Sequence, residues 1–377
     1  MKAASLTLSV LIGLATMSFN TPAAELSVAK EKSVTTAPLV PERFIPSIND
    51  DRNLDFQTVY PEPDAKGIQI MKNSDMVIDT RGNLYVTGPR LINDEGFGTS
   101  ALSKITPDGV ISILTLPMNE QLTAIAIDSH DNIYLSVYSG SGVGDSHAGG
   151  GYSMVPKFIS DLTSKSPFFI VRKLQPDGKL SIFIPKNKSD CFFNFAVDGN
   201  GVLYSDSCSS LIKISKRRGI GSKKETLVDF SVGAARMDRS ARAMVIDGEN
   251  NLIYAENSFI RGGNTPNQSN NVGVSYDLIK KISPAGDVTD IAGIKIEGDA
   301  GVADKAGFKK ISSLAIDSRD NIYVLEPQKK TIRKITNGVI STLVNDTGED
   351  AMSIAIHGDN LYILRESGID VVRNLSI

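Results

Sequence analysis

Short apolar runs alternate with polar clusters along most of the chain, and the runs come in pairs. In LAIDSRDNIYVLE (residues 314–326), Leu314, Ile316, Ile322, Val324 and Leu325 flank the polar tetrad Ser318-Arg319-Asp320-Asn321. Apolar, partly β-branched residues on both sides of a turn-forming cluster predict strand, tight turn, strand. Close copies end at Val86 (MVIDTRGNLYV), Leu135 (AIAIDSHDNIYL), Ser205 (FAVDGNGVLYS), Ala255 (MVIDGENNLIYA) and Leu364 (IAIHGDNLYIL). Tyr85, Tyr134, Tyr204, Tyr254, Tyr323 and Tyr362 hold the corresponding place in the six copies. The turn position carries Asp79, Asp128, Asp198, Asp247, Asp317 and finally His357. A lone hairpin is marginally stable, so each copy must belong to a larger sheet.

Every copy but the last is followed by two more strand-like runs. Asn337-Gly338 splits TIRKIT from VISTLV, a strong hairpin signal. Pro284-Ala285-Gly286 splits LIKKIS from VTDIAG, and Pro-Asp-Gly links LSKIT to VISIL and VRKLQ to LSIFI. Four short antiparallel strands, repeated at intervals of 40 to 70 residues between turn positions, are the signature of propeller blades. The expected fold is therefore all-β: a six-bladed β-propeller with four antiparallel strands per blade. The sixth unit offers a third strand at residues 368–373 and little beyond it. An unclosed ring leaves a bare sheet edge. The apolar run LDFQTVY (residues 54–60) is expected to close the last blade as an N-terminal strand.

The first 24 residues combine Lys2, an apolar stretch and the small pair Ala23-Ala24, which predicts a cleaved secretory signal and a periplasmic or secreted protein. No cysteine stands near the cleavage site, so no lipid anchor is expected, and no later stretch is apolar enough to span a bilayer. Residues 25–53 lack periodicity and carry Pro38, Pro41 and Pro46; they read as an extended arm before a propeller over residues 54–377. A formal charge of −3 gives no electrostatic footprint for nucleic acid. The densest basic run, SKRRGIGSKK (residues 215–224), falls in a turn of the third unit.

LIKKISPAGDVTDIAG and GVADKAGFKKISSLAIDSRDNIYVLEPQKKTIRKITNGVISTL, within residues 278–343, resemble the NHL-repeat propellers. That family shares an Asp-turn-Asn-hydroxyaromatic core, an Arg-Lys-Ile strand and a Gly-rich link. The resemblance implies the propeller fold but little about function, since such propellers serve as binding modules and as several kinds of enzyme. Gluconolactonase-like propellers, more distant relatives, hold a divalent cation in the central channel through Glu, Asn and Asp side chains near the starts of the innermost strands. Five residues before each turn position stand Ser74, Thr123, Phe193, Arg242, Ser312 and Met352; one further on stand Asp75, Ala124, Asn194, Ala243, Ser313 and Ser353. Asp75 and Asn194 are the hard oxygen ligands of this set, suited to a cation such as calcium, with Asn73, Glu349 and Asp350 nearby. The amidating-lyase propellers need a histidine-rich zinc site, and His130, His147 and His357 do not supply one.

Cys191 and Cys208, the two cysteines of the chain, flank the first hairpin of the third unit. In an exported protein they are expected to form a cross-strand disulfide. Gly140 to Asp145 (GSGVGD) lacks the strand–helix context of a dinucleotide loop and reads as a surface loop.

In an up-and-down blade, the second-to-third and fourth-to-first connections share one face. The long insertions, residues 88–100, 139–167, 258–275 and 294–311, are of these kinds, whereas the opposite turns are short. Long loops on a rigid scaffold concentrate binding residues. Asp75, Asn194 and Arg242 start innermost strands on that face, and Tyr138, Asp206, Glu256 and Glu326 end second strands there. These seven are the expected ligand-binding residues of a polar mouth, under the Gly-rich loop at residues 139–153. The function expected is an exported, monomeric scaffold that binds a protein, peptide, glycan or small molecule. The alternative is a divalent-metal-dependent lactonase or related hydrolase.

Overall fold

The computed structural model describes residues 41–46, 56–58, 70, 74–91, 98–116, 121–139, 168–187, 192–207, 210–216, 222–231, 237–260, 274–293 and 307–375. The chain divides into units 1–37 and 38–377, and every described residue belongs to the second. That unit is a six-bladed β-propeller. The innermost strands of the blades are Met76–Ile78, Gln121–Ile127, Phe195–Val197, Met237–Ile246, Ser313–Ile316 and Ala351–His357. Each packs beside the next, and the sixth packs beside the first, so the ring is closed.

Six apolar clusters form the core, and each one spans two neighbouring blades. Between blades five and six, for example, Tyr323, Leu325 and Ile332 pack with Ile354, Leu361 and Ile363. The cluster across the closure sets Met76, Leu84 and Val86 against Ala355, Tyr362 and Ile369. A blade has two apolar faces and no interior of its own, so burial requires a neighbour on each side. This is the physical reason for the repetition.

The recurrent polar residues build the turns. Asp79 Oδ1 accepts the amides of Arg81 and Asn83, while Asn83 Nδ2 donates to Oδ2 at 2.6 Å. The same bonds recur at Asp128, Asp247 and Asp317. The Tyr134 and Tyr323 hydroxyls donate to Asp128 and Asp317 at 3.0 and 3.1 Å from fully buried positions. A lysine on the adjacent strand lies over each ring: Lys104 on Tyr85, Lys173 on Tyr134, Lys213 on Tyr204 and Lys334 on Tyr323. The Asp-Asn-Tyr-Lys pattern is thus a folding module, with cation–π contacts across the strands. These aspartates serve turn chemistry.

Tyr254 breaks the register expected of it. Val245 faces Ile253 in blade four, where Ala315 faces Tyr323 in blade five, and Tyr254 is paired one residue on, opposite Met244. A shift of one residue turns the side chain to the other face of a strand. The Tyr254 hydroxyl therefore donates to Glu256, at 3.4 Å, instead of to the turn aspartate.

Adjacent turns are tied to one another around the short-turn face. Asp131, with φ of 60°, places its carboxylate on the Thr80 amide and hydroxyl of blade one, at 2.8 and 2.6 Å. Asn250 and Asp320, also left-handed, accept from the amides of Gly199 and Gly248. Between blades six and one, His357 Nε2 lies 2.9 Å from the Thr80 carbonyl oxygen.

The closing strand differs from the one expected. Glu42–Pro46 pairs antiparallel with Gly368–Val372 and completes blade six, so part of the segment read as an arm (residues 25–53) belongs to the ring. Within residues 54–60, Phe56–Thr58 pairs parallel with Ile111–Thr115 and adds a fifth strand to blade one. Both runs cap free outer edges, and main-chain pairing, which any extended segment can make, decides little between them. Pro46 is tolerated because edge strands need not donate outward. The expected signal (1–24), Cys191, Cys208 and, beyond Ser139, the loop at 139–153 lie outside the described residues.

Candidate functional site

The innermost strands enclose a channel of about 2120 Å3. All twelve residues at the two register positions that precede the turns line it. In blades two, four and six the pairing slips at Thr123, Arg242 and Met352, one extra residue in each innermost strand. A β-bulge of this kind re-aims a side chain, and all three line the channel. The long-connection end of the channel is therefore where the chain invests its irregular backbone. Of the insertions expected there, residues 88–100 and 258–275 are partly strand. Leu84–Leu91 pairs with Gly98–Ile105, and Leu252–Ile260 with Val274–Ile282, so these hairpins run past the blade body.

Asp75, Tyr138, Asn194, Asp206 and Arg242 line the channel together. Asp75 is already engaged: Oδ1 accepts the Met76 amide at 2.8 Å and the Ser353 hydroxyl at 2.6 Å, the latter from blade six. Burial pushes its carboxyl up, and those two bonds oppose the rise. Asn194 Nδ2 reaches the Ala241 carbonyl at 3.5 Å. Arg242 Nη2 donates to Asn257 Oδ1 at 3.2 Å, and Asn257 Nδ2 donates to the buried Asp277 at 2.6 Å. Burial raises the Asp277 carboxyl, against the pull of Asn257, the Ile311 amide and the Arg242 charge.

Asp206 is different. Its amide donates to the Asn194 carbonyl, so the backbone is anchored. Its Oδ1 is buried and accepts no hydrogen bond among the described residues. Desolvation pushes this carboxyl up to about 7. A buried acceptor left without a partner is uncommon and asks for one.

Glu256 and Glu326 do not join the mouth. Glu256 is held by Arg239, at 2.8 Å, and by Lys280. Fully buried Glu326 pairs with Lys329 at 2.8 Å, accepts the Lys309 amide and has Arg333 at 3.8 Å. Both are internal ion pairs on their own blades, where a removed partner would leave an uncompensated charge.

Nor do the described residues fit the hard-ligand shell of a divalent cation. No three His, Cys, Asp or Glu side chains gather among them, and Asp75 is committed to Ser353. Glu349 pairs with Lys330 and Asp350 with Arg365. Sequence reasoning missed an aromatic wall. Phe169 lies between Tyr138 and Phe193, ring centroids 5.1 and 5.2 Å away, and all three line the channel. Phe193 occupies one of the register positions named above, so its place was legible although its part was not.

With this geometry in hand, comparison with known proteins adds the following. No protein-family model and no curated protein matches the chain. Among solved structures, it is similar to a virginiamycin B lyase from Staphylococcus aureus, with TM-score 0.46 and 11% identity over 82% of this chain and 97% of that one. A gluconolactonase from Xanthomonas campestris is similar with TM-score 0.48 and 9% identity over 81% and 87%. The PQQ-bound aldose sugar dehydrogenase from Streptomyces coelicolor gives 0.43 and 11% over 81% and 94%. At these scores and identities no activity or residue role transfers. Among the described residues, no helix is long and apolar enough to cross a membrane.

Proposed function

We propose that this chain is an exported propeller of the NHL type that binds a ligand at the long-connection mouth of its channel. The observation that carries the reading is Asp206 Oδ1, buried without a hydrogen-bond partner among the described residues, in a channel that Arg242, Asn194, Tyr138 and Phe193 also line. Pockets that combine apolar rings with a few convergent polar groups are the usual form of a ligand site.

A ligand-observed NMR screen of sugars, lactones, amino acids, amines and short peptides tests this. A hit should be lost in Tyr138→Leu and Arg242→Ala and kept in Asp359→Ala on the short-turn face. Hits indifferent to both mouth substitutions would sink the proposal. The lactonase alternative has no carboxylate or histidine cluster among the described residues behind it; lactone hydrolysis with and without added calcium tests it directly. Export carries with it the Cys191–Cys208 disulfide, and two labelled thiols in unreduced, denatured protein would dispose of that pairing.

A further inference from the structure

We propose that the channel mouth binds the carboxylate group of a small organic acid, held by Arg242 and Lys310 on the seam between blades four and five. This rests on the mouth being the binding site, and it names the class of ligand.

The anchor is a guanidinium that the fold positions and leaves without a counter-charge. Arg242 is the extra residue of the bulge between Ala241 and Ala243, and it lines the channel half-buried. Its Nη2 donates to Asn257 Oδ1 at 3.2 Å, Asn257 Nδ2 donates to Asp277 Oδ1 at 2.6 Å, and Asp277 Oδ2 accepts the Ile311 amide. Both Asp277 oxygens are thus taken by neutral donors, and the guanidinium is oriented by an amide instead of a carboxylate. The rest of its donor fork has no partner among the described residues. A planar fork of this kind matches the two oxygens of a carboxylate.

The same relay leads to a second charge. Ile311 stands between Lys310 and Ser312, and all three line the channel where the innermost strand of blade five begins. Lys310 has φ of 52°, a left-handed backbone that costs a non-glycine residue and clusters at functional sites. It is exposed, with no ion-pair partner among the described residues. Elsewhere in blades four and five, Arg239, Lys281, Lys329 and Lys330 each hold a carboxylate. Arg242 and Lys310 hold none. Ser312 adds a hydroxyl. Its Oγ is buried without a partner among the described residues, on a half-buried residue, so a change of rotamer turns it to a ligand without breaking a bond.

The acids at this end of the channel leave the two cations their charge. Glu349 is held by Lys330 at 2.6 Å, and Asp75 accepts the Ser353 hydroxyl. Burial pushes the Asp75 and Asp206 carboxyls up, which reduces the negative charge they carry. Their presence still favours a singly charged ligand. A phosphate carries nearly two charges at neutral pH and would meet more repulsion from them.

The test is NMR titration of the whole protein at pH 7.5 and low salt with lactate, benzoate and glucuronate, each beside its own neutral amide. At least one acid should bind about ten-fold more tightly than its amide, and added salt should shrink the difference. Arg242→Gln should weaken that acid by about ten-fold and Lys310→Gly by several-fold, with the amides little changed. Glycine suits the left-handed backbone at residue 310, so this variant stays folded and its loss of binding reads the charge. Equal affinity for every acid and its amide overturns the proposal, as does failure of all three acids to bind. So does tighter binding of inorganic phosphate than of any acid, or acid affinity unchanged in both variants. If the acids fail but a sugar or an amine binds and is lost in Tyr138→Leu, the carboxylate class is wrong and the mouth reading stands. If no compound responds to any mouth substitution, both are wrong.

Discussion

Replacing Asp206 with asparagine keeps the side chain's shape and deletes its charge. In the folded protein, desolvation moves this carboxyl from 3.8 to about 7, with no bond or ion pair pulling the other way. The folded state therefore holds a proton that the unfolded chain has released. Folding takes up that proton between about pH 4 and pH 7, and stability must fall as pH rises through the window. Below pH 4 both states are protonated and the charge costs nothing. Above pH 7 both are ionised and the full penalty stands. A displacement from 3.8 to about 7 corresponds to about 4 kcal/mol at about 1.36 kcal/mol per pH unit. Asp206 lines a wide channel, and relaxation softens charge burial, so about 2 kcal/mol is the working figure. The asparagine amide brings its own constant cost in a buried place, which cancels when one compares across pH. Urea unfolding of ligand-free wild type and Asp206→Asn at several values from pH 4 to pH 8 reads the effect. The variant should gain about 2 kcal/mol on the wild type over that range, with the change complete by about pH 7. A gap that stays flat, or one that moves in favour of the wild type, would falsify the argument, because it would mean that the folded protein stabilises the ionised carboxylate.

Other consequences concern the ring. Deletion through residue 47, which removes the Glu42–Pro46 strand, should be less stable than deletion through residue 40 by several kcal/mol, at about 1 kcal/mol per lost strand bond. Equal midpoints would show that this strand does not close blade six. Tyr323→Phe should cost about 1 kcal/mol by chemical denaturation, since it strips a buried bond to Asp317, and Tyr254→Phe should cost less because its bond to Glu256 is long. Asp131→Gly keeps the left-handed backbone and loses the bonds to Thr80, for about 1 kcal/mol. Asp131→Ala adds backbone strain and should cost about 1 kcal/mol more.

The hairpins, the six blades and the twelve channel positions were all legible in the sequence, because they depend on local rules. A period-2 apolar pattern with an Asp-x-x-x-Asn turn specifies a strand pair wherever it stands, and the repeat register carries over to every innermost strand. Tyr254 shows the limit of even this reading: one added residue after its turn moves it to the other face, although the spelling of the repeat looks intact. The identity of the closing strand was not legible. Residues 42–46 and 56–58 are both short edge strands that pair through the main chain, and which outer edge each one meets depends on where the finished ring leaves its openings. The same holds for the acids of the mouth. Asp206 and Glu326 end their second strands, as expected, whereas Glu256 lies in the middle of Leu252–Ile260, because that strand runs on past the blade body. Only Arg239, Lys280, Lys329 and Arg333, brought in from other strands or turns, distinguish the two neutralised glutamates from the aspartate left alone. A carboxylate's role follows from which charges can reach it: strand pairing brings Arg239 and Lys280 to Glu256 across 17 and 24 residues, and the turn after its own strand folds Lys329 back onto Glu326, and neither closure is spelled out by the acid's place in the repeat.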